Sequence, residues 1–142
     1  MKATPYNQKM IDEFHGKKGL AVGPFGNHLL LLTAKGAKSG EHITTPLVYR
    51  RDGNNYIVIA SKGGAPTHPT WLTNIEANPD VEAEVAKEGG TETFKARARV
   101  HARGPERDRL FAEQAKIWPA FLEYEKKTTR VIPVVVLERL RT

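Results

Sequence analysis

The chain has 142 residues, enough for one domain that buries roughly 70% of the surface exposed by its unfolded form. It contains no cysteine, which excludes disulfides, thiolate zinc sites and cysteine nucleophiles. Lysine and arginine number 22 against 16 aspartates and glutamates, and the resulting charge of +6 predicts a surface that attracts anions. A nucleic acid, an anionic membrane or a polyanionic small molecule would each suit such a surface.

The N-terminal segment lacks the apolar core that marks a signal peptide. The longest apolar runs, at residues 29–32 and 131–137, are too short to span a bilayer. We therefore expect a soluble cytoplasmic protein without an integral membrane segment.

Apolar residues recur at helical spacing over residues 6–14, and glycines end this pattern. The helix carries Asp12 and Glu13, so we expect it to pack on the domain or cover its mouth rather than attach to a membrane. A turn is predicted at residues 23–26. The sequence thus predicts a single domain, residues 1–142, in which residues 1–26 form a helical and turn extension.

The rest of the pattern is mainly that of β-strands. Pro46 and Pro133 indicate strand edges or bulges, and Asp52-Gly53 indicates a hairpin. Strands are predicted at residues 28–33, 43–50, 56–60, 81–85, 93–103 and 131–137, with helices at 69–77, from 104 to 118 and in a short turn through 124. The first three strands should form an antiparallel meander. We expect a mainly β fold with flanking helices, in which about six mostly antiparallel strands form a small closed or half-closed barrel.

Residues 93–103 alternate almost perfectly between small or apolar side chains and basic ones. The inward face is predicted to hold Phe94, Ala96, Ala98, Val100 and Ala102, and the outward face Lys95, Arg97, Arg99, His101 and Arg103. No aromatic residue interrupts the basic face, so platforms for stacking nucleic-acid bases are missing. We interpret the basic face as a solvated sheet surface and expect no nucleic-acid partner.

Several common site motifs fail. Ala37 stands where a phosphate-binding P-loop needs glycine before Lys38-Ser39, and the serine is one place too late for a hydrolase nucleophile elbow. The five histidines have no metal-helix spacing, and no dinucleotide-binding glycine fingerprint is present. We predict no metal site.

Residues 56–74 carry the strongest site pattern. A buried strand leads to Ser61, Lys62, Gly63 and Gly64, and a short helix then opens near His68 and Pro69. Glycines permit positive φ and close approach, lysine supplies a cation, and a helix N-terminus supplies unpaired amides. This combination suits an anion, most plausibly a phosphate.

A second turn, Lys38-Ser39-Gly40, repeats the Lys-Ser chemistry, and the chain has no serine outside these two loops. Such a turn either lies at the far end of a neighbouring strand or converges on the loop through the helix that carries Trp71 and Asn74. The sequence leaves both arrangements open.

Trp118, Phe121 and Tyr124 recur at three-residue spacing and are predicted to share one helical face. They are expected to form either an aromatic wall of a pocket or part of the core.

The G-x-K-S-G turn, the S-K-G-G loop and the H-P-x-W-x-x-N segment together resemble the deazaflavin (F420)-dependent nitroreductase family of split β-barrel flavin and deazaflavin oxidoreductases. The similarity runs from about Leu29 to the last strand. The resemblance implies a cytoplasmic reductase that binds coenzyme F420, a 5-deazaflavin with a phosphate and an oligoglutamate tail. The residues that it assigns to cofactor binding are Lys38, Ser39, Gly40, Ser61, Lys62, Gly63, Gly64, His68, Pro69, Trp71 and Asn74.

By the same resemblance, hydride passes from reduced F420 to an enone, quinone or nitroarene. We expect Trp118 and Phe121 to wall the substrate pocket and Tyr124 to hydrogen-bond the acceptor oxygen or relay a proton to it, unless all three side chains belong to the core. Relatives active on nitro compounds tend to have tyrosines along this helix, whereas Trp118 and Phe121 lack the phenol. An FMN-binding split-barrel oxidoreductase and a non-catalytic F420 carrier are the alternatives. The assembly is expected to be a monomer or homodimer.

Overall fold

The computed structural model describes residues 3–20, 22–23 and 26–140. The helices and strands follow in the order α1 (Pro5–Gly16), β1 (Leu29–Lys35), β2 (His42–Asp52), β3 (Asn55–Ile59), α2 (Thr70–Ala77), β4 (Asp80–Lys87), β5 (Gly90–His101), α3 (Pro105–Ile117), α4 (Ala120–Lys127) and β6 (Val134–Arg139). A 3₁₀ turn, Lys62–Gly64, follows β3. None of the described helices has the length and apolar character needed to cross a membrane.

The strands close into an antiparallel barrel in the order β1-β2-β3-β6-β5-β4, and β4 pairs with β1 to complete the ring. The predicted barrel and the predicted meander of the first three strands are therefore confirmed. The hairpin at Asp52-Gly53 is also confirmed, because Asp52 pairs with Asn55 and Gly53 has φ 61°.

Although every neighbouring pair of strands is hydrogen-bonded, the barrel is open along part of the edge of β2. Strand β2 pairs with β1 over residues 42–48, but with β3 only over residues 49–52. Within the described residues, the second edge of 42–48 has no strand partner, and Pro46 lies there. The prediction that Pro46 marks an edge is confirmed, since a proline has no amide to donate to a neighbouring strand.

The barrel interior is filled by apolar side chains from all six strands and from α2. The small inward residues of β5 are buried as predicted, with Ala96 at 0% exposure. The prediction is wrong for Ala102, which is exposed because β5 ends at His101 and the chain turns into α3. On the outer face Arg97 pairs with Asp80, and Arg99 pairs with Glu138.

Two further apolar clusters attach the helices to the outside of the barrel. α1 buries Met10, Ile11 and Phe14 against Leu29 and Leu31, so the predicted N-terminal helix packs on the barrel. α3 and α4 cover the outer side of β3 and β6 with Leu110, Phe111 and Phe121. In the predicted 23–26 turn, residues 24 and 25 lie outside the described residues, and Gly26 forms a β-bridge with Val22.

β6 begins at Val134 rather than at residue 131, because Pro133 cannot donate to the sheet. The carbonyl of Pro133 instead accepts a hydrogen bond from Ala60, 3.0 Å away, at the end of β3. This contact brings the segment before β6 next to the loop that follows β3.

Candidate active site

A cavity of about 710 Å³ opens beside the unpaired edge of β2. Its floor and walls come from residues of α1, the β2 edge, the loop after β3, the start of α2 and the α3–α4 junction. Most of this lining is apolar, including Pro46 and Leu47 on β2 and Trp71 on α2. A cavity of this size and polarity is typical of a site for a cofactor or small substrate.

The loop after β3 has unusual backbone geometry. Lys62 has φ 47° and Gly64 has φ 84°, both in the left-handed region. That conformation is strained for lysine and easy for glycine. Lys62 therefore depends on the surrounding structure to hold its conformation.

Gly64 makes the predicted close approach, but its neighbour is α4. A Cβ atom on Gly64 would lie 2.7 Å from the Tyr124 carbonyl oxygen and 2.9 Å from Lys127 Cβ. The absence of a side chain thus allows the loop to pack directly on the helix that carries Tyr124.

Asn74 connects the Lys38 turn to the cavity. It is 4% exposed and lines the cavity, and its Oδ1 accepts a hydrogen bond of 3.0 Å from the Ala37 amide. Asn78, one turn later, donates to the Lys35 carbonyl at 3.4 Å. Of the two arrangements that the sequence left open, the structure shows convergence through α2.

Eight of the predicted site residues line the cavity together. They are Ser61, Lys62, Pro69, Trp71, Asn74, Trp118, Phe121 and Tyr124. The other predicted residues lie around it rather than in its wall. Lys38, Ser39 and Gly40 form the exposed turn before β2, Gly63 and Gly64 belong to the 3₁₀ turn, and His68 is exposed beside the start of α2.

The polar end of the cavity is formed by Ser61 and Lys62. Lys62 Nζ donates to the hydroxyl of Thr67 at 3.3 Å, and among the described residues no carboxylate is paired with it. Its charge is therefore available to an anionic ligand. In the turn before β2, the Ser39 hydroxyl accepts a hydrogen bond of 3.2 Å from the Glu41 amide and so holds the turn closed.

The aromatic end is built differently from the prediction. Trp118 does not share a helical face with Phe121 and Tyr124, because it is the C-terminal cap of α3 and the chain turns at Pro119 before α4 begins. All three side chains nevertheless line the cavity. Phe121 is 4% exposed and packs edge-on against Tyr124, with ring centroids 5.9 Å apart, so it contributes to the core and to the cavity wall.

Sequence reasoning missed Arg130. This side chain, between α4 and β6, reaches back about seventy residues along the chain and donates to the carbonyls of Ala60 and Ser61. Burial lowers the pKa of the Arg130 guanidinium. A single arginine in a polar connection carries no sequence signal, since only the fold shows what lies opposite it. The sequence also did not indicate that residues of α1 and of the β2 edge line the cavity, because both segments have an ordinary amphipathic pattern.

The barrel with one open wall, together with a cavity that is apolar on its sides and cationic at one end, defines the chain as a split-barrel cofactor-binding protein. The family model for F420H(2)-dependent quinone reductases matches residues 6–139, and the chain belongs to this family. The family resemblance stated from the sequence and the split-barrel fold are both confirmed.

Individual relatives support the same family assignment. The chain is 42% identical over 119 residues to an F420H(2)-dependent quinone reductase of Mycobacterium tuberculosis. The aligned residues cover 78% of this chain and 72% of that protein. A solved F420-H2 dependent reductase matches with TM-score 0.69 and 35% identity, over 78% of this chain and 94% of that one. A second solved structure, described as a domain-swapped dimer, matches with TM-score 0.71 and 32% identity, over 94% and 95% of the two chains.

The side chains present fit coenzyme F420. A flat ring system needs wide apolar walls, which Pro46, Leu47 and Trp71 supply, and a phosphate needs cations and hydrogen-bond donors, which Lys62 and Ser61 supply at one end. Membership of the family makes the protein an F420H2-dependent oxidoreductase.

Proposed function

We propose that this chain binds reduced F420 in the cavity beside β2 and reduces a quinone held against Trp118, Phe121 and Tyr124. The observation that supports this most directly is that the cationic loop and the aromatic junction face one cavity. The FMN-dependent alternative is less favoured, because the family and its relatives are named for F420H2.

In this proposal the chain's own residues hold the cofactor in two places. Lys62 and Ser61 bind its anionic side from within the cavity, with Gly63, Gly64 and His68 completing the loop around it. Lys38, Ser39 and Gly40 bind the phosphate from the turn that Asn74 fixes by its bond to Ala37. Pro69 and Trp71 begin α2 against the ring system and exclude water from it.

When bound, reduced F420 would supply a hydride from its C5 atom and lose its second hydrogen as a proton to solvent, which leaves oxidised F420. The quinone takes up this hydride, with both electrons, and one proton, and leaves as the hydroquinone. We assign delivery of that proton to the hydroxyl of Tyr124, which regains a proton from solvent. Tyr124 is half-buried at the cavity wall, and no described residue is hydrogen-bonded to its hydroxyl. Enones and nitroarenes are the other electron-poor acceptors that suit the same chemistry.

The proposal also covers the protein's surroundings. The chain is proposed to act as one domain in the cytoplasm, as a monomer or homodimer, with a small molecule and not a nucleic acid as its partner. The ion pairs of Arg97 and Arg99 support the last point, because they neutralise the centre of the basic face of β5.

The decisive experiment titrates the cofactor-free protein separately with F420 and with FMN, and then follows the oxidation of reduced F420 by menadione. Binding of F420 with turnover is expected. Tight FMN binding without F420 binding would support the alternative cofactor, and F420 binding without turnover on any quinone, enone or nitroarene would indicate a carrier.

Tyr124→Phe tests the proton donor. It should lower kcat by about a hundredfold or more with little change in the Kd for F420, since general acid catalysis contributes a factor of about 10²–10⁴. Tyr49→Phe is the matched control, because it removes the hydroxyl of a half-buried tyrosine that does not line the cavity. A Tyr124→Phe enzyme with unchanged kcat would assign Tyr124 to the wall alone.

A further inference from the structure

Arg130 makes an unusual set of contacts for a half-buried arginine. Its Nε donates to the Ala65 carbonyl at 2.9 Å, one Nη to the Ala60 carbonyl at 3.2 Å, and the other Nη to the Ser61 carbonyl at 2.7 Å. The three carbonyls flank the 3₁₀ turn on both sides. One planar guanidinium therefore fixes both ends of the cationic loop to each other.

The segment that Arg130 holds is strained. Lys62, inside the clamped turn, has φ 47°, a conformation that a lysine keeps only when its surroundings impose it. The bonds of Arg130 to Ser61 and Ala65 lie directly before and shortly after that residue. Lys62, whose side chain lines the cavity, therefore lies between two backbone carbonyls that Arg130 holds.

The same guanidinium reaches His68. An Nη of Arg130 lies 3.0 Å from His68 Nδ1. Arginine has donors only, so Nδ1 must present its lone pair, and the proton of the neutral ring is then on Nε2. His68 is exposed, and its Nε2–H is a hydrogen-bond donor directed away from Arg130.

The charge of Arg130 is not cancelled locally. None of the ion pairs found among the described residues includes Arg130, and all of its side-chain bonds go to uncharged carbonyls or to the imidazole. Its positive charge therefore adds to that of Lys62 on the same loop, which favours an anion there.

We propose that Arg130 is a positioning residue of the active site, which holds Lys62 in its strained conformation and fixes His68 as the Nε2–H tautomer that donates to the anionic part of the cofactor. The role in binding rests on the proposed function, whereas the tautomer does not. Arg130 itself acts from behind the loop.

The first test uses the cofactor-free protein. Long-range ¹H–¹⁵N spectra of the histidine rings, assigned by loss of signals in His68→Gln, should show His68 with a bare Nδ1 and a protonated Nε2 when the ring is neutral. Arg130→Met should give a mixture of tautomers. A wild-type His68 protonated on Nδ1 would overturn the proposal without any variant being needed.

The second test measures the Kd and KM for F420. Arg130→Met should raise both by about tenfold or more, the loss expected for charged hydrogen bonds, with kcat at saturating cofactor largely kept. Arg130→Lys should lie in between, because a single ammonium cannot reach all four acceptors. Arg103→Met, at an exposed arginine between β5 and α3, is the control and should change neither constant.

The outcomes separate the two proposals. If wild type does not bind F420 but His68 shows the expected tautomer, the proposed function fails and the positioning role of Arg130 remains. If wild type binds F420 and folded Arg130→Met or Arg130→Lys binds it equally well, the proposed function remains and the role of Arg130 is refuted.

Discussion

Replacing Gly64 by alanine should disturb both the stability of the protein and its aromatic wall. Gly64 has φ 84°, and an added Cβ would lie 2.7 Å from the Tyr124 carbonyl oxygen and 3.0 Å from Tyr124 Cα. Both neighbours are backbone atoms of α4 and cannot rotate away as a flexible side chain would. The loop or the helix must therefore move.

The expected cost has two parts. A left-handed conformation costs a non-glycine residue roughly 1–2 kcal/mol, of which about 0.4–1 kcal/mol is regained because alanine restricts the unfolded chain. Overpacking against a fixed neighbour adds about 1–3 kcal/mol. For a domain of this size, each kcal/mol lowers Tm by about 3–4 °C, so the steric part alone should lower Tm by roughly 3–12 °C.

Gly89→Ala isolates the steric part. Gly89 has nearly the same φ, 81°, but a Cβ added there would meet nothing within 4 Å. Urea unfolding of the two variants should differ by about 1–3 kcal/mol, with Gly64→Ala the less stable. Gly64→Ala should also reduce quinone turnover, because α4 carries Tyr124, whereas Gly89→Ala should not. Equal unfolding free energies for the two variants would refute close packing of the loop on α4.

Three further predictions concern other contacts of the site and of α1. Lys62→Ala should raise the Kd for F420 about tenfold or more in a cofactor titration, and Lys116→Ala, at a lysine paired with Glu113 on α3, should leave it unchanged. Asn74→Ala removes the bond to the amide of exposed Ala37 and should cost about 0.5–1.5 kcal/mol in urea unfolding, more than Asn78→Ala, whose bond is longer. Hydrogen bonds from the Gly23 amide and then from Lys17 hold the pKa of the Glu13 carboxyl below its usual value. The stability that ionised Glu13 contributes is therefore fully present above the pKa of free glutamate, and it is lost as the pH falls through the lowered pKa of the folded protein. Glu13→Gln should therefore destabilise the protein at about pH 7 and do so progressively less as the pH falls below the pKa of free glutamate, about 4.3, as measured by unfolding over this range.

The barrel was predictable because its signals are local. Alternation in β5, the Asp52-Gly53 hairpin and the proline at position 46 each follow from short-range steric and hydrogen-bonding rules. Where the prediction failed, as at Ala102, alternation continued in the sequence beyond the point at which the sheet ends. The prediction that Trp118, Phe121 and Tyr124 share one helical face was wrong for a similar reason. Their three-residue spacing is regular, but the chain breaks at Pro119 between two helices.

The organisation of the site was less predictable because it depends on contacts between distant segments. Asn74 holds a turn that lies 37 residues earlier, and Arg130 holds a loop that lies up to 70 residues earlier. Neither residue type indicates its partner in the sequence, because a side-chain amide or a guanidinium can form hydrogen bonds with many different groups. The sequence indicated several of the residues that line the cavity, but not what keeps their loops in place.

The arrangement around Lys62 explains why these supporting residues matter for function. A lysine at positive φ would relax if its loop were free, so the conformation of Lys62 in the cavity wall depends on contacts that hold the loop from outside. Because Gly64 has no side chain, α4 packs directly on the loop. The Arg130 guanidinium donates hydrogen bonds to carbonyls of the same loop. Since α4 also carries Tyr124, the cation at one end of the cavity and the phenol at the other are positioned by a single packed unit. A change at Gly64 should therefore alter cofactor binding and proton delivery together, because Gly64 contacts α4. A change at Arg130 or Lys62 should alter mainly cofactor binding, and a change at Tyr124 mainly proton delivery.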